Sequence, residues 1–263
     1  MGCVPQDLFA SAVSYYERYR SGYPIAELNA LAARAGLHES GRVIDVGCGT
    51  GQLAIPLARH ASTVIAIDPV ADMLTHGRRA AQAAGVDNIT WLQGDSRQLA
   101  VLVEPGALVA FFAASFHWTD RPTVAQELDG LLAPGGSIVV INDDLGEAEE
   151  PDWVHAIAEI RARYLGANPA GTDAHTNPSR NHYDVLRDSP FSSVDPSTWS
   201  WTRQLTVEEV VGLQFSYSFS TPALFADRAE AFATDVHDAV IGLHPSGLVT
   251  EPFRVEVLVA GRP

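Results

Sequence analysis

The sequence predicts an α/β fold, a mostly parallel sheet with helices on both faces, and three observations carry that expectation. Apolar strand-like runs alternate with helical segments between residues 42 and 141. The first such run ends in the glycine turn Gly47-Cys48-Gly49-Thr50-Gly51. Acidic residues recur at the carboxyl ends of three successive strands, as Asp45, Asp68 and Asp95.

Taken in order, residues 7 to 35 place Phe9, Val13, Tyr16 and Tyr23 at helical spacing, and Pro24 divides the stretch into two helices. Residues 42 to 46 read as a buried strand, and the glycine turn opens a helix over 52 to 60. Strands follow at 63 to 67, 89 to 92 and 107 to 112, with a helix over 70 to 84. A further helix ends in the turn Leu128 to Gly136, and residues 137 to 141 form a fifth apolar strand. Beyond residue 142 the rhythm changes. A helix near 151 to 165 precedes a stretch at 166 to 181, rich in Gly, Pro, Asn and Thr, that reads as a loop or lid. Then come a strand at 197 to 203, a helix at 206 to 213 with a Thr206/Glu209 capping box, a helix at 222 to 243 and a strand at 253 to 260.

Composition limits the partners. With 17 Lys+Arg against 32 Asp+Glu the net charge is −15, and the basic residues are not clustered, so nucleic acid and anionic membranes are poor partners. No apolar run approaches the ~18 residues needed to span a bilayer. Met1-Gly2-Cys3 resembles an acylation start, but Gln6 stands where Ser or Thr is wanted. Two cysteines, Cys3 and Cys48, argue against a structural disulfide and fit a reducing cytoplasm. His175 and His182 lie around the loop with no Cys/His cluster, so no metal is expected.

The glycine turn ends a strand and opens a helix, where missing β-carbons let backbone approach a nucleoside-containing cofactor. A nicotinamide fingerprint requires glycine at position 52, which is Gln52. Asp45 is unfavourable beside a pyrophosphate and favourable beside an ammonium, such as that of S-adenosylmethionine (SAM). Asp68 can accept from both ribose hydroxyls, and Asp95 from an adenine amino group. Taken singly, each acid has an ordinary alternative as a helix or turn cap.

On these residues the segment 43 to 142 resembles the class I SAM-dependent methyltransferases, with Val43 to Gly51 matching the first motif. The resemblance implies a Rossmann-like, seven-stranded sheet of order 3-2-1-4-5-7-6 with strand 7 antiparallel. It implies that Asp45 and the glycine turn, with Gly47, Cys48 and Gly49, hold the methionine part of SAM, that Asp68 holds the ribose, that Met73 packs on adenine, that Asp95-Ser96 face its edge and that Gln52 and Ala113 are also cofactor-binding. The pattern Tyr16-Glu-Arg-Tyr-Arg20-Ser-Gly-Tyr23-Pro24 and the pair His117-Trp118 are similar to a small-molecule branch of the family, methyltransferase type 11-like. The resemblance implies that Tyr16 and Arg20 cover the cofactor, with Arg20 or a nearby donor neutralising its carboxylate; the alternative for this aromatic helix is ordinary packing on the domain. Ser21 departs from the usual proline.

The resemblance implies residues 1–36 as an N-terminal helical extension or lid. Residues 37–263 are then the methyltransferase domain, with lid-like insertions around 145–196 and 214–245. Methyl transfer is an in-line displacement that needs alignment and, for a protonated nucleophile, a base. His117, after the fourth strand, is the candidate base, with a structural histidine as the alternative. Tyr23, Trp118, Tyr183, Phe215 and Tyr217 are the candidate walls of an apolar substrate pocket, with simple packing as the alternative. The expected reaction converts SAM to S-adenosylhomocysteine (SAH) on a small metabolite, with O-methylation preferred over N- or C-methylation and natural-product biosynthesis as the setting. The alternative is a SAM-binding relative that catalyses a non-methylating step such as cyclisation.

Overall fold

Residues 42 to 68 show why the sheet forms where it does. Arg42–Val46 (β1) and Thr63–Asp68 (β2) are built from β-branched and small apolar residues that are buried along nearly their whole length, as a strand covered on both faces must be. A computed structural model describes residues 9–143, 150–170 and 180–263. Met1, Gly2, Cys3 and His175 lie outside the described residues, as does most of the loop expected at 166 to 181.

The remaining strands are Ile89–Gln93 (β3), Ala107–Ala113 (β4), Leu132–Asp143 (β5), Ser193–Thr206 (β6) and Leu248–Gly261 (β7). They form one seven-stranded sheet of order β3-β2-β1-β4-β5-β7-β6. The neighbours from β3 to β5 are parallel, and β7 runs antiparallel to β5. Fold class and strand order are therefore those the sequence led us to expect. β1 lies inside the sheet between β2 and β4, with Asp45 paired to Ala66 on one side and Phe111 on the other.

The chain divides into two compact units. One comprises described residues 9–20, 150–170 and 200–253, and the other 21–143, 180–199 and 254–263. The second holds β1 to β5, and its core joins Ile44, Ile67, Phe112, Phe116, Leu128 and Val140 with Leu186 and Phe191. The first packs the helices Val13–Tyr19, Asp152–Leu165, Val207–Gln214 and Ala229–Leu243 around Trp153, Phe215, Phe225 and Phe232. Tyr19 packs closely on Gly212, where a β-carbon would meet its ring at 2.2 Å.

Several boundaries differ from expectation. The helix expected at 52 to 60 is Ala54–Leu57 followed by a 3-10 turn, Ala58–His60. The helix expected at 222 to 243 is Pro222–Phe225, a 3-10 turn and Ala229–Leu243, with Ala226 between them at φ 53°. In an unbroken helix residues 225 and 232 would stand about 10 Å apart along the axis. The break lets their rings stack at 4.2 Å. β6 and β7 extend several residues beyond the aromatic and β-branched runs that announced them. The helix His182–Arg187 went unforeseen; the Asn181 side chain caps it by accepting from the Asp184 N–H at 2.7 Å.

Candidate functional site

The glycine turn owes its path to positive φ angles at Gly47 (74°), Gly49 (55°) and Gly51 (90°), which side chains with a β-carbon rarely adopt. Space is as restrictive as conformation. A β-carbon on Gly47 would stand 2.5 Å from that of Ser115, and one on Gly51 would stand 2.7 Å from the Trp91 ring. Ser115 Oγ donates to the Val46 carbonyl at 2.5 Å, tying the end of β4 to the end of β1. Trp91 covers Gly51 and also Gly77 of the helix Ala71–Ala83.

Asp68 closes the turn from β2. One carboxylate oxygen accepts from the Gly49 N–H and the other from the Val70 N–H, each at 2.9 Å, which fixes the turn and starts the following helix. Burial raises its pKa to about 6 against the pull of those two bonds. Asp45 is different. It is 0% exposed, and neither carboxylate oxygen has a hydrogen-bond partner; the Ala54 N–H leans toward it without reaching hydrogen-bond geometry. Burial first, and the Asp68 charge second, raise its pKa to about 7. A buried carboxylate without a donor is costly unless a cation or donor joins it. Cys48 is buried beside both acids, and its thiol is held well above the usual range by burial and then by those charges. Gln52 Nε2 donates to Thr50 Oγ1 at 2.8 Å, and Met73 is buried.

Asp95 caps the 3-10 turn Ser96–Gln98 and is paired with Arg97, whose hydrogen bonds hold its carboxyl below the usual range. Capping thus occupies much of the carboxylate assigned to adenine, while Ser96 beside it is buried. Ala113 ends β4, and Ala114 follows at φ 51°. The next residues form the turn Phe116–Trp118.

His117 stands in an aromatic and cationic setting. Its ring lies 5.4 Å from Trp118 and 6.5 Å from His182, nearly parallel to the latter. Arg121 donates to His182 Nδ1 at 3.1 Å and to the Arg180 carbonyl at 2.8 Å. Arginine has no acceptor, so His182 Nδ1 accepts and its proton resides on Nε2. Sequence reading assigned no role to Ser115, Trp91 or Arg121 and placed His182 only near the loop; each reaches the site from a distant segment, and no local motif marks it. Tyr23 packs edge-on against Trp199 at 6.4 Å, and Tyr183 packs against the apolar core.

Tyr16, Arg20, Phe215 and Tyr217 belong to the first unit. There Phe215 is buried among Tyr15, Phe225 and Phe232, while Arg20 lies over Tyr217 at 4.2 Å and 5.5 Å from Tyr16.

Residues 43–136 match the family described as a methyltransferase domain. An uncharacterized methyltransferase of Mycobacterium tuberculosis (strain H37Rv) is 29% identical over 228 residues, 85% of this chain and 84% of the relative. The tRNA 5-carboxymethoxyuridine methyltransferase of Escherichia coli K12 is 36% identical over 97 residues, 36% of this chain and 37% of that enzyme. Among solved structures, one described as a putative type II methyltransferase from Anaeromyxobacter dehalogenans superposes with a TM-score of 0.60 at 18% identity, over 93% of this chain and 97% of that one.

Proposed function

The chain belongs to the class I SAM-dependent methyltransferases, and from that premise we propose that it methylates a small metabolite, preferentially at oxygen. The observation that carries the cofactor half is Asp45. A fully buried carboxylate with two unpartnered oxygens, beside a turn from which β-carbons are excluded, fits the ammonium of a methionyl group. SAM, when bound, supplies the methyl group on a sulfonium carbon. In this proposal Asp45 and the glycine turn hold the methionyl part. Asp68 keeps lone pairs for the ribose hydroxyls while it fixes the Gly49 N–H, and Met73, Asp95 and Ser96 border the adenine.

His117 is proposed as the base that takes the acceptor's proton. Its place in the turn after β4, two residues beyond the Ser115 that ties β4 to the glycine turn, supports that role. A small acceptor is supported by the net charge of −15, which opposes a polyanion. In the second unit, Tyr23, Trp118 and Tyr183 are the proposed acceptor contacts. Among the described residues no helix is long and apolar enough to cross a membrane.

The test is a mass-spectrometric screen of metabolites for a SAM-dependent gain of one methyl group, alongside calorimetric titration with SAM and NAD. Failure to bind SAM would sink the proposal. Binding without methyl gain, accompanied by an isomeric product, would favour cyclisation. His117→Ala is expected to keep SAM affinity and lose most turnover; unchanged turnover removes His117 from the mechanism.

A further inference from the structure

β1 keeps its two neighbours over unequal lengths. It pairs with β2 as far as Val46, opposite Ile67, but with β4 only as far as Asp45, opposite Phe111. On the β2 side the start of the glycine turn stays tied, because the Ile67 carbonyl accepts from the Gly47 N–H at 2.8 Å and from the Cys48 N–H at 3.0 Å. On the β4 side the tie is a side chain. Ser115, buried and 69 residues further along the chain, donates its hydroxyl to the Val46 carbonyl at 2.5 Å. Its β-carbon leaves no room for one on Gly47.

Local structure does not account for this use of a serine. Ser115 stands at the N-cap of the turn Phe116–Trp118, where a serine hydroxyl ordinarily accepts from the backbone of its own turn. It makes no such bond among the described residues and reaches β1 instead. The residue before it, Ala114, holds a left-handed φ of 51° while its N–H donates to the Ile141 carbonyl of β5 at 2.8 Å. An alanine keeps that conformation only where its surroundings enforce it, and the bonds to β5 and β1 on either side do so. The same bend opens the turn that carries His117, since the Ser115 carbonyl accepts from the Trp118 N–H at 3.0 Å. We propose that Ser115 is a positioning residue for methyl transfer, whose hydroxyl sets the Val46–Gly47 peptide beside Asp45 and whose backbone sets the His117 turn. One residue then anchors both the cofactor turn and the candidate base. This rests on the reading that Asp45 and the glycine turn hold the methionyl part of SAM. Without the hydroxyl, the Val46 carbonyl loses this donor, and the first peptide of the turn loses its tie to the β4 side.

The experiment uses the full chain and two readouts: hydrogen exchange by mass spectrometry over residues 43–53 and 114–121, and calorimetric titration with SAH. Ser115→Ala removes one oxygen and no carbon. Exchange is expected to quicken about threefold or more in both segments. SAH affinity is expected to fall roughly fivefold or more, the effect of one lost buried hydrogen bond. A serine that served only the stability of the fold would lower the urea midpoint and leave SAH affinity at the wild-type value, because the ligand binds folded chain alone. That result overturns the proposal, as does faster exchange confined to 114–121 or unchanged in both segments. If Ser115→Ala does not fold, Ser115→Cys is read in its place: its thiol is a weaker donor, so a loss of about twofold or more is expected, and wild-type affinity again overturns the proposal. If the wild-type chain does not bind SAH, it is the cofactor reading that fails. The exchange measurement needs no ligand and still decides whether Ser115 joins the two turns.

Discussion

The glycine turn of the second unit and an aromatic ladder in the first, where Arg20 lies over Tyr217, Tyr217 stacks on Phe219 and Arg161 lies over Phe219, hold opposite charges in different surroundings. At the turn, Asp45 is a fully buried carboxylate with no hydrogen-bond partner among the described residues; on the ladder, Arg20 and Arg161 have no carboxylate within ion-pair distance among those residues. The surroundings differ in kind. Asp45 is set in backbone and small residues, where geometry is fixed by φ angles and by contacts such as Gly47 against Ser115. The arginines rest on side chains, Tyr217 and Phe219, which can exchange rotamers at modest cost. The turn is thus fixed by backbone, whereas the ladder is held by side chains alone.

The largest effect should come from removing the charge at the turn. Asp45→Asn is expected to weaken SAH binding by roughly 30- to 5,000-fold, since truncating one partner of a buried charged pair costs about 2–5 kcal/mol. Calorimetry checks it, and an affinity within threefold of wild type would remove Asp45 from the cofactor site. Next in size is Gly47→Ala. Its β-carbon would lie 2.5 Å from that of Ser115 at φ 74°, so strain and overlap together should cost roughly 2–4 kcal/mol in urea denaturation. Gly36→Ala is the control: its φ is 75°, but nothing lies within 4 Å, and it should cost only about 1 kcal/mol. Equal losses at both positions would show that the close approach to Ser115 contributes nothing.

These two regions were legible in the sequence to different degrees, for physical reasons. Strand periodicity and the glycine spacing are local signals, and they placed β1 to β5, the turn and its acids. The partners that complete the turn are not local: Ser115, just past the end of β4, and Trp91, in the middle of β3, meet it only because parallel pairing brings those strands into one sheet with β1. Asp95 shows the opposite limit, since a strand-end acid that caps a turn and one that receives a ligand look the same in sequence. In the first unit, Phe215 and Tyr217 stand two residues apart in one aromatic run. One is buried in the core and the other carries Arg20, a distinction set by how Phe225 folds back on Phe232 after the break at Ala226.

A smaller effect follows from protons at the turn. Asp45 titrates near 7 in the unliganded fold, against 3.8 when solvated, so between about pH 4 and 7 the folded chain holds a proton that the unfolded chain has lost. Stability of the unliganded protein should therefore fall as pH rises through that window, and Asp45→Asn should flatten the fall. An ammonium ligand prefers the ionised carboxylate, so SAH affinity should rise roughly tenfold from pH 6 to pH 7.5. A pH-independent affinity would mean that Asp45 is ionised before the ligand arrives.

The smallest expected signal concerns Cys48, which tests whether the turn remains acidic and closed in solution. Thiolate, not thiol, attacks disulfide reagents, and nucleophilic cysteines usually sit near positive charge. Cys48 is 6% exposed, and burial together with Asp45 and Asp68 pushes its thiol well above 9. At pH 8 an aromatic disulfide reagent should therefore leave Cys48 unmodified in the folded chain while modifying both cysteines in urea. In Asp45→Asn one of those neighbouring charges is gone but burial, the larger cause, is kept, so labelling should quicken only a few-fold. Rapid labelling of Cys48 in the wild-type chain would mean that the turn opens readily, and the contrast between a rigid anionic turn and an adaptable cationic ladder would then fail at the turn.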